Sequence, residues 1–97
     1  EAPEGFEAAW RRWVDARGEG VLREARKALD GDPAKAESAR RDAAALGDAD
    51  YGKREAASRR LVDLGDAAIP LVQPLLEHED AEVRARARAV LDRLLEP

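Results

Sequence analysis

Few side chains in this sequence could do acid–base or nucleophilic chemistry. His78 is the single histidine and stands between Glu77 and Glu79, whereas Ser38 and Ser58 are the only serines. A general base needs a nucleophile within hydrogen-bond reach, and the absence of cysteine excludes thiolate nucleophiles, thiolate metal sites and disulfides. We therefore predict no catalytic, cofactor-binding or metal-binding residue. We interpret His78 as an exposed turn residue whose acidic neighbours favour its charged form.

Two groups of side chains could instead recognise a partner. Trp10 and Trp13 lie three residues apart on one helix face, and tryptophan is enriched among the residues that dominate protein interfaces. Arg84 and Arg88 lie one helical turn apart and also share a face. We predict these four residues as possible partner-binding residues. The alternatives are that the indoles fill the core and that the arginines serve a structural role.

The charge of the chain bears on the kind of partner. The 17 basic and 21 acidic residues leave a net charge of −4, which disfavours nucleic acid. The cluster of Arg84, Arg86 and Arg88 keeps binding to a phosphate backbone as an alternative, although Glu82 and Asp92 are spaced to pair with two of these arginines. No apolar run reaches the roughly 20 residues that span a membrane. We therefore expect another protein, or another domain of a larger assembly, as the partner.

The composition indicates an all-α protein of one domain. The chain has 97 residues, near the usual size of a domain. It is rich in Ala, Arg, Glu and Leu, which favour helices, and it lacks Thr and Asn. It begins with Glu1 rather than Met, as expected of a processed protein or of a domain cut from a longer chain, and the sequence indicates no compartment.

Apolar spacing and helix-breaking residues divide the chain into about six short helices. Gly18 and Gly20 are predicted to end the first helix, Gly31 the second and Gly47 the third. Asp32 is predicted to cap the third helix at its beginning. The first helix carries an apolar stripe of Phe6, Ala9, Trp10, Trp13 and Val14.

The remaining helices have clearer boundaries. Asp50 is predicted to cap the fourth helix, Gly65 to follow its last residue and Asp80 to cap the sixth. The fifth helix is expected at roughly residues 67–77. Pro74 lies inside it and lacks an N–H, so we expect a kink or a loosened turn there.

The sixth helix repeats the fourth at a distance of thirty residues. Asp50, Arg54, Ala57, Leu61 and Leu64 recur as Asp80, Arg84, Ala87, Leu91 and Leu94. A fixed period of this length is typical of helical repeat proteins.

Residues 50–95 resemble the HEAT repeat in its short bacterial form. The residues that carry the repeat motif are Asp50, Arg54, Gly65, Pro70, Asp80 and Arg84. The resemblance implies a fragment of a right-handed α-solenoid whose helices pack as antiparallel hairpins. In that single domain, 1–97, residues 1–47 form diverged helices or a cap and residues 48–97 form the repeat region. Each motif arginine is expected to bond the loop acid and the carbonyls of the preceding turn.

The resemblance implies a scaffold without chemistry or cofactor. We predict a non-catalytic helical-repeat module, not an enzyme, that mediates protein–protein interaction or assembly. One alternative is binding of a nucleic-acid backbone by the Arg-rich helices. A second is a subunit or chaperone-like part of a lyase-type enzyme, because short HEAT repeats also occur in phycobilin lyases.

Overall fold

The computed structural model of the chain describes the backbone of residues 2–95 and the side chains of residues 8–95. Every regular element in that part is helical, so the all-α prediction is confirmed. Within residues 2–95, four helices and one irregular helical segment stand in place of the six predicted helices. The helices are α1 at residues 2–30, α2 at Pro33–Ala45, α3 at Tyr51–Leu64 and α4 at Ala81–Leu95, and the irregular segment at residues 65–77 joins α3 to α4.

Helix α1 runs unbroken through Gly18 and Gly20, so the prediction that these glycines end it is wrong. A five-residue π-helical turn, Val14–Gly18, joins its α-helical parts Ala2–Trp13 and Glu19–Asp30. Gly18 keeps right-handed helical angles, φ −56° and ψ −45°. A Cβ on Gly18 would lie 3.1 Å from Cζ3 of Trp13. The glycine therefore makes room for the indole instead of stopping the helix.

The π turn changes which residues of α1 face the core. It takes more residues per turn than the 3.6 of an α-helix, so the apolar stripe loses its register there. Val14, predicted on that stripe, is 38% exposed, whereas Ala25 and Leu29 further along α1 are buried. Phe6, the first residue of the stripe, lies outside the side chains that the structure describes.

Aspartate caps begin α2 and α3, as the sequence predicts. Asp32 Oδ1 accepts a hydrogen bond from the Lys35 N–H at 3.1 Å, and Pro33 follows it as the first residue of α2. Asp50 Oδ1 accepts from the Gly52 N–H at 3.0 Å. These bonds satisfy N–H groups that have no partner inside the helix.

The segment at residues 65–77 owes its irregular geometry to a glycine and two prolines. Gly65 has φ +79° and reverses the chain after α3, while Pro70 and Pro74 each lie at the start of a turn. The segment is a 3-10 turn, an α turn and a second 3-10 turn, at Gly65–Ala68, Ile69–Val72 and Gln73–Glu77. The loosened turn expected at Pro74 is confirmed.

The core lies between α3, the segment 65–77 and α4. Its buried members are Leu46, Ala57, Leu61, Ala68, Ile69, Val72, Ala87, Val90 and Leu91. The second half of α1 packs on residues 65–72 and on α2, and the first half contacts α4. One helix thus spans from α2 to α4, which brings the tryptophans of α1 to the arginines of α4.

Candidate partner-binding site

The turns that precede α3 and α4 share one hydrogen-bond pattern. Asp50 Oδ1 accepts from the backbone N–H two residues ahead, and Asp80 Oδ1 does the same with the Glu82 N–H at 2.8 Å. Arg54 Nη1 donates to the carbonyl oxygens six and five residues upstream, at 2.7 and 3.2 Å. Arg84 Nη1 donates to its own two upstream carbonyls at 2.7 and 3.1 Å.

The hydrogen-bond partners of the motif aspartates and arginines in these two turns differ in part from the prediction. The arginines bond the carbonyls of the preceding turn, as predicted. The carboxylates of Asp50 and Asp80 bond backbone N–H groups rather than the arginine side chains. The other two motif residues, Gly65 and Pro70, lie in the segment that joins the two helices.

His78 completes this pattern at the second turn. Its Nδ1 accepts a hydrogen bond from the Asp80 N–H at 3.0 Å, as Asp48 Oδ1 accepts from the Asp50 N–H at 2.8 Å at the first turn. The imidazole thus occupies the position that a carboxylate occupies at the first turn. Across the described residues, no group of three or more acidic or histidine side chains is placed to hold a metal ion.

Three of the four predicted partner-binding residues line one groove between α1, the segment 65–77 and α4. We call it the tryptophan–arginine groove. It has a volume of about 750 Å³ and is lined by Trp10, Gln73, Leu76, Glu77, Ala81, Arg84, Ala85 and Arg88. Arg84 and Arg88 are half-buried in its wall, and Arg84 is held in place by its two bonds to the turn.

Trp13, the fourth predicted residue, does not line the groove but contacts Trp10, which does. Its ring stacks on that of Trp10 with centroids 5.4 Å apart and planes inclined by 17°. Both indoles are half-buried and pack against the core. The tryptophans therefore have two roles: the pair fills space beside the core, and Trp10 also borders the groove.

An ion-pair ladder connects α3 to α4. Arg86 Nη1 lies 2.7 Å from Glu55 Oε2, and Arg86 Nε lies 3.3 Å from Glu82 Oε2. The Tyr51 ring lies below two guanidinium groups, with its centroid 5.3 Å from Arg86 Cζ and 5.5 Å from Arg54 Cζ.

The i, i+4 spacing predicts only the pairing of Arg86 with Glu82. The pairing with Glu55 joins residues 31 positions apart. The thirty-residue repeat was the sequence signal that could have predicted it, because repeated helices are expected to lie side by side.

The ion-pair ladder shifts the pKa values of Glu55 and Arg86. The hydrogen bond from Arg86 lowers the pKa of Glu55 below its ordinary value; partial burial opposes this effect, and Tyr51 and Arg59 add to it. The same bond raises the pKa of Arg86. The pair is therefore charged on both sides at neutral pH.

A second groove, of about 650 Å³, runs between α3 and α4. Glu55 and Arg86 line it near the beginning of the two helices, and Asp63 and Arg93 line it near their ends. The two helices therefore lie side by side and run in the same direction.

Comparisons of this chain with protein-family models, with characterised proteins and with solved structures gave no match. Within residues 2–95, none of the helices combines the length and the apolar character needed to cross a bilayer.

Proposed function

We propose that this chain is a non-catalytic helical-repeat module, a fragment of a right-handed α-solenoid of HEAT type, that serves as a docking surface for another protein. The observation that supports a repeat protein is that the turns before α3 and α4 have the same hydrogen bonds. Asp50 and Arg54 make the same bonds before α3 as Asp80 and Arg84 make before α4. In stacked repeats such identical turns are expected, because each repeat meets the next through equivalent residues.

The tryptophan–arginine groove supports a protein as the partner. Aromatic residues and arginine are enriched at protein interfaces, and this groove combines Trp10 with Arg84 and Arg88. Its neighbours Leu76 and Ala85 add apolar surface that a side chain of a partner could cover.

Binding of nucleic acid is the weaker candidate. Arg86 is 15% exposed and pairs with Glu55 and Glu82, and Arg60 pairs with Asp42 through two contacts of 2.9 Å. Both arginines are paired with carboxylates of the same chain, and the chain as a whole carries a charge of −4. A phosphate backbone needs a surplus of basic charge.

The repeat can be tested by lengthening the protein. A further copy of residues 50–79, inserted between residues 79 and 80, should stack between the existing helices. Stability in stacked repeats is roughly a sum over units and interfaces. We therefore expect a folded protein with higher helical signal and a melting temperature no lower than that of the parent. An insertion that unfolds the protein would refute the solenoid.

The docking function can be tested by selection of displayed random peptides against the folded protein. We expect enriched peptides whose binding is lost when Trp10 is replaced by Ala and kept when exposed Tyr51, which does not line the groove, is replaced by Ala. Enrichment that yields no peptide sensitive to Trp10→Ala would refute the groove as a docking surface.

A further inference from the structure

One half of the groove between α3 and α4 carries an excess of negative charge. This groove, which we call the α3–α4 groove, is lined near the beginning of the two helices by Glu55 and Glu82. Both carboxylates share the guanidinium of Arg86, at 2.7 and 3.3 Å. Their side chains remain 41% and 57% exposed, so a basic group of another molecule can reach each of them.

The other half of the α3–α4 groove carries an excess of positive charge. Arg59, Asp63 and Arg93 line it, and all three are exposed. Within the described side chains, neither Arg59 nor Arg93 forms an ion pair. The groove as a whole is therefore neutral but has a negative half and a positive half, and a surface with the reverse order of charges complements it.

A second copy of this chain has that reverse order when it is turned end for end. On α4, Glu82 lies in the first turn and Arg93 in the last turn, and the level midway between them falls at residues 87–88. A two-fold axis at this level, perpendicular to α4, brings Glu82 of each copy opposite Arg93 of the other.

The same axis also serves α3. Glu55 and Arg59 are centred on Ala57, which corresponds to Ala87 in the thirty-residue repeat. The 2.7 Å contact between Glu55 and Arg86 agrees with this alignment of the two helices. The two midpoints therefore lie at one level of the groove to within about 1 Å, given the rise per residue of an α-helix. Glu55 of each copy then comes opposite Arg59 of the other.

The groove residues nearest this axis are small. Ala85 and Ala89 are exposed, and they too are centred on Ala87. Val62 and Val90 add apolar surface to the same groove. The distance between packed helices depends on the side chains at the contact. The α4 helices of two copies can therefore meet closely at alanine, while charged side chains pair towards both ends of the contact.

We propose that two copies of this chain associate through the α3–α4 groove as an antiparallel two-fold dimer. Glu82 of each copy pairs with Arg93 of the other, and Glu55 pairs with Arg59. A two-fold contact makes every such pair twice. Each copy carries a net charge of −4, which opposes association, so the dimer is weak. This surface goes beyond the proposed docking site, because the tryptophan–arginine groove shares only Ala85 with it.

Sedimentation equilibrium of the parent protein, at concentrations up to about 1 mM, measures the association. We expect a reversible equilibrium between monomer and dimer, because a two-fold contact is closed at two copies. A parent that stays monomeric over the whole range, or that forms larger oligomers through an open-ended contact, would overturn the proposal.

Reversal of charge at Glu82 and Arg93 tests the pairing itself. Glu82→Arg and Arg93→Glu each place like charges opposite one another at two points, so we expect each variant to self-associate at least about tenfold more weakly than the parent. An equimolar mixture of the two variants should form a heterodimer at least as tight as the parent dimer, because both contacts again join opposite charges. A mixture that remains monomeric would refute the arrangement.

Glu24→Arg is the matched control for the change in net charge. Glu24 lies on α1, outside the groove, and like Glu82 it pairs within its own helix, here with Lys27 at 3.8 Å. This variant should self-associate as the parent does. Its mixture with Arg93→Glu should give a weaker heterodimer than the mixture of Glu82→Arg with Arg93→Glu. Equal affinity in the two mixtures would mean that net charge, not the pairing, drives association.

Ala89→Lys guards against a variant that fails to fold. Ala89 is exposed in the interior of α4, and lysine favours a helix almost as well as alanine. The long side chain lies near the two-fold axis and should abolish the dimer, while circular dichroism and the melting temperature of the monomer stay as in the parent. A dimer that survives Ala89→Lys would show that another face joins the copies, and the proposal would fail.

Discussion

At Gly65 the backbone takes a conformation that only glycine adopts at low cost. Its angles are φ +79° and ψ −148°, and a Cβ there would meet no atom within 4 Å. Space is therefore not the constraint, and the cost of another residue is conformational. We expect Gly65→Ala to lower the free energy of unfolding by about 1–3 kcal/mol, as measured by urea denaturation. An unchanged midpoint would mean that the turn relaxes to a negative φ.

At His78 a ring nitrogen takes the place that a carboxylate oxygen takes at the equivalent turn. Because Asp48 makes the corresponding bond to the Asp50 N–H, we expect His78→Asp to keep the stability of the parent. His78→Ala should cost about 0.5–1.5 kcal/mol through the lost hydrogen bond to the Asp80 N–H. Thermal denaturation of the two variants at one pH makes the comparison. Equal losses in both would show that the ring contributes through something other than this bond.

Single residues were predictable where the partner lies close in sequence. The caps Asp32 and Asp50, the strained Gly65 and the pairing of Glu82 with Arg86 all follow from spacings of four residues or fewer. The link from Arg86 to Glu55 was not predicted, because it depends on two helices meeting side by side. The proximity of Trp10 to Arg84 was not predicted either, since it exists only in the folded chain.

At the scale of elements, α1 is the main departure from expectation. Two glycines within three residues predict a helix end, since each costs about 1 kcal/mol relative to alanine in a helix interior. The burial of Ala25 and Leu29, and the fit of Trp13 against Gly18, favour a continuous helix instead. Tertiary packing thus outweighed local propensity, and single-residue preferences carry no information about such packing.

The continuity of α1 predicts opposite outcomes at its two glycines. A Cβ on Gly20 would meet no atom within 4 Å, so Gly20→Ala should stabilise the protein by about 0.5–1 kcal/mol. Gly18→Ala would press on the Trp13 ring at 3.1 Å, so we expect a smaller gain or a loss, with a shift in tryptophan emission. Urea denaturation followed by circular dichroism measures both. Loss of stability in Gly20→Ala would mean that the helix breaks there.

At the scale of the whole molecule, the ladder from α3 to α4 makes stability depend on pH. The pKa of Glu55 is lowered in the folded protein, so its contribution is complete above the ordinary value of about 4.3 and is lost as pH falls through the lower folded value. We expect the parent to be more stable than Glu55→Gln at pH 7. The difference should narrow below about pH 5.

Urea denaturation between pH 7 and pH 3 measures this difference. The control is the same comparison in a protein that also carries Arg86→Gln, where the hydrogen bond that lowers the pKa of Glu55 is absent. There the pH dependence of the difference should shrink. If the difference in free energy of unfolding between the parent and Glu55→Gln stayed constant from pH 7 to pH 3, the ionised pair of Glu55 and Arg86 would contribute nothing to folding.

The overall architecture was predictable in class and not in detail. Helix-forming composition and the recurrence of Asp50 and Arg54 as Asp80 and Arg84 indicate an all-α chain with two equivalent turns. The path of α1 across α2, the segment 65–77 and α4 was not predictable, because it is set by which buried faces match. The groove arises from that path.

The π turn also fixes the angular phase between the two ends of α1. Deleting one residue from Val14–Gly18 would restore ordinary helical winding and rotate everything before it by about 100°. The indoles would then swing away from α4, while the helices behind them kept their places. Deletion of a single residue from the π turn, without any substitution, is thus enough to separate the two tryptophans of α1 from Arg84 and Arg88 of α4.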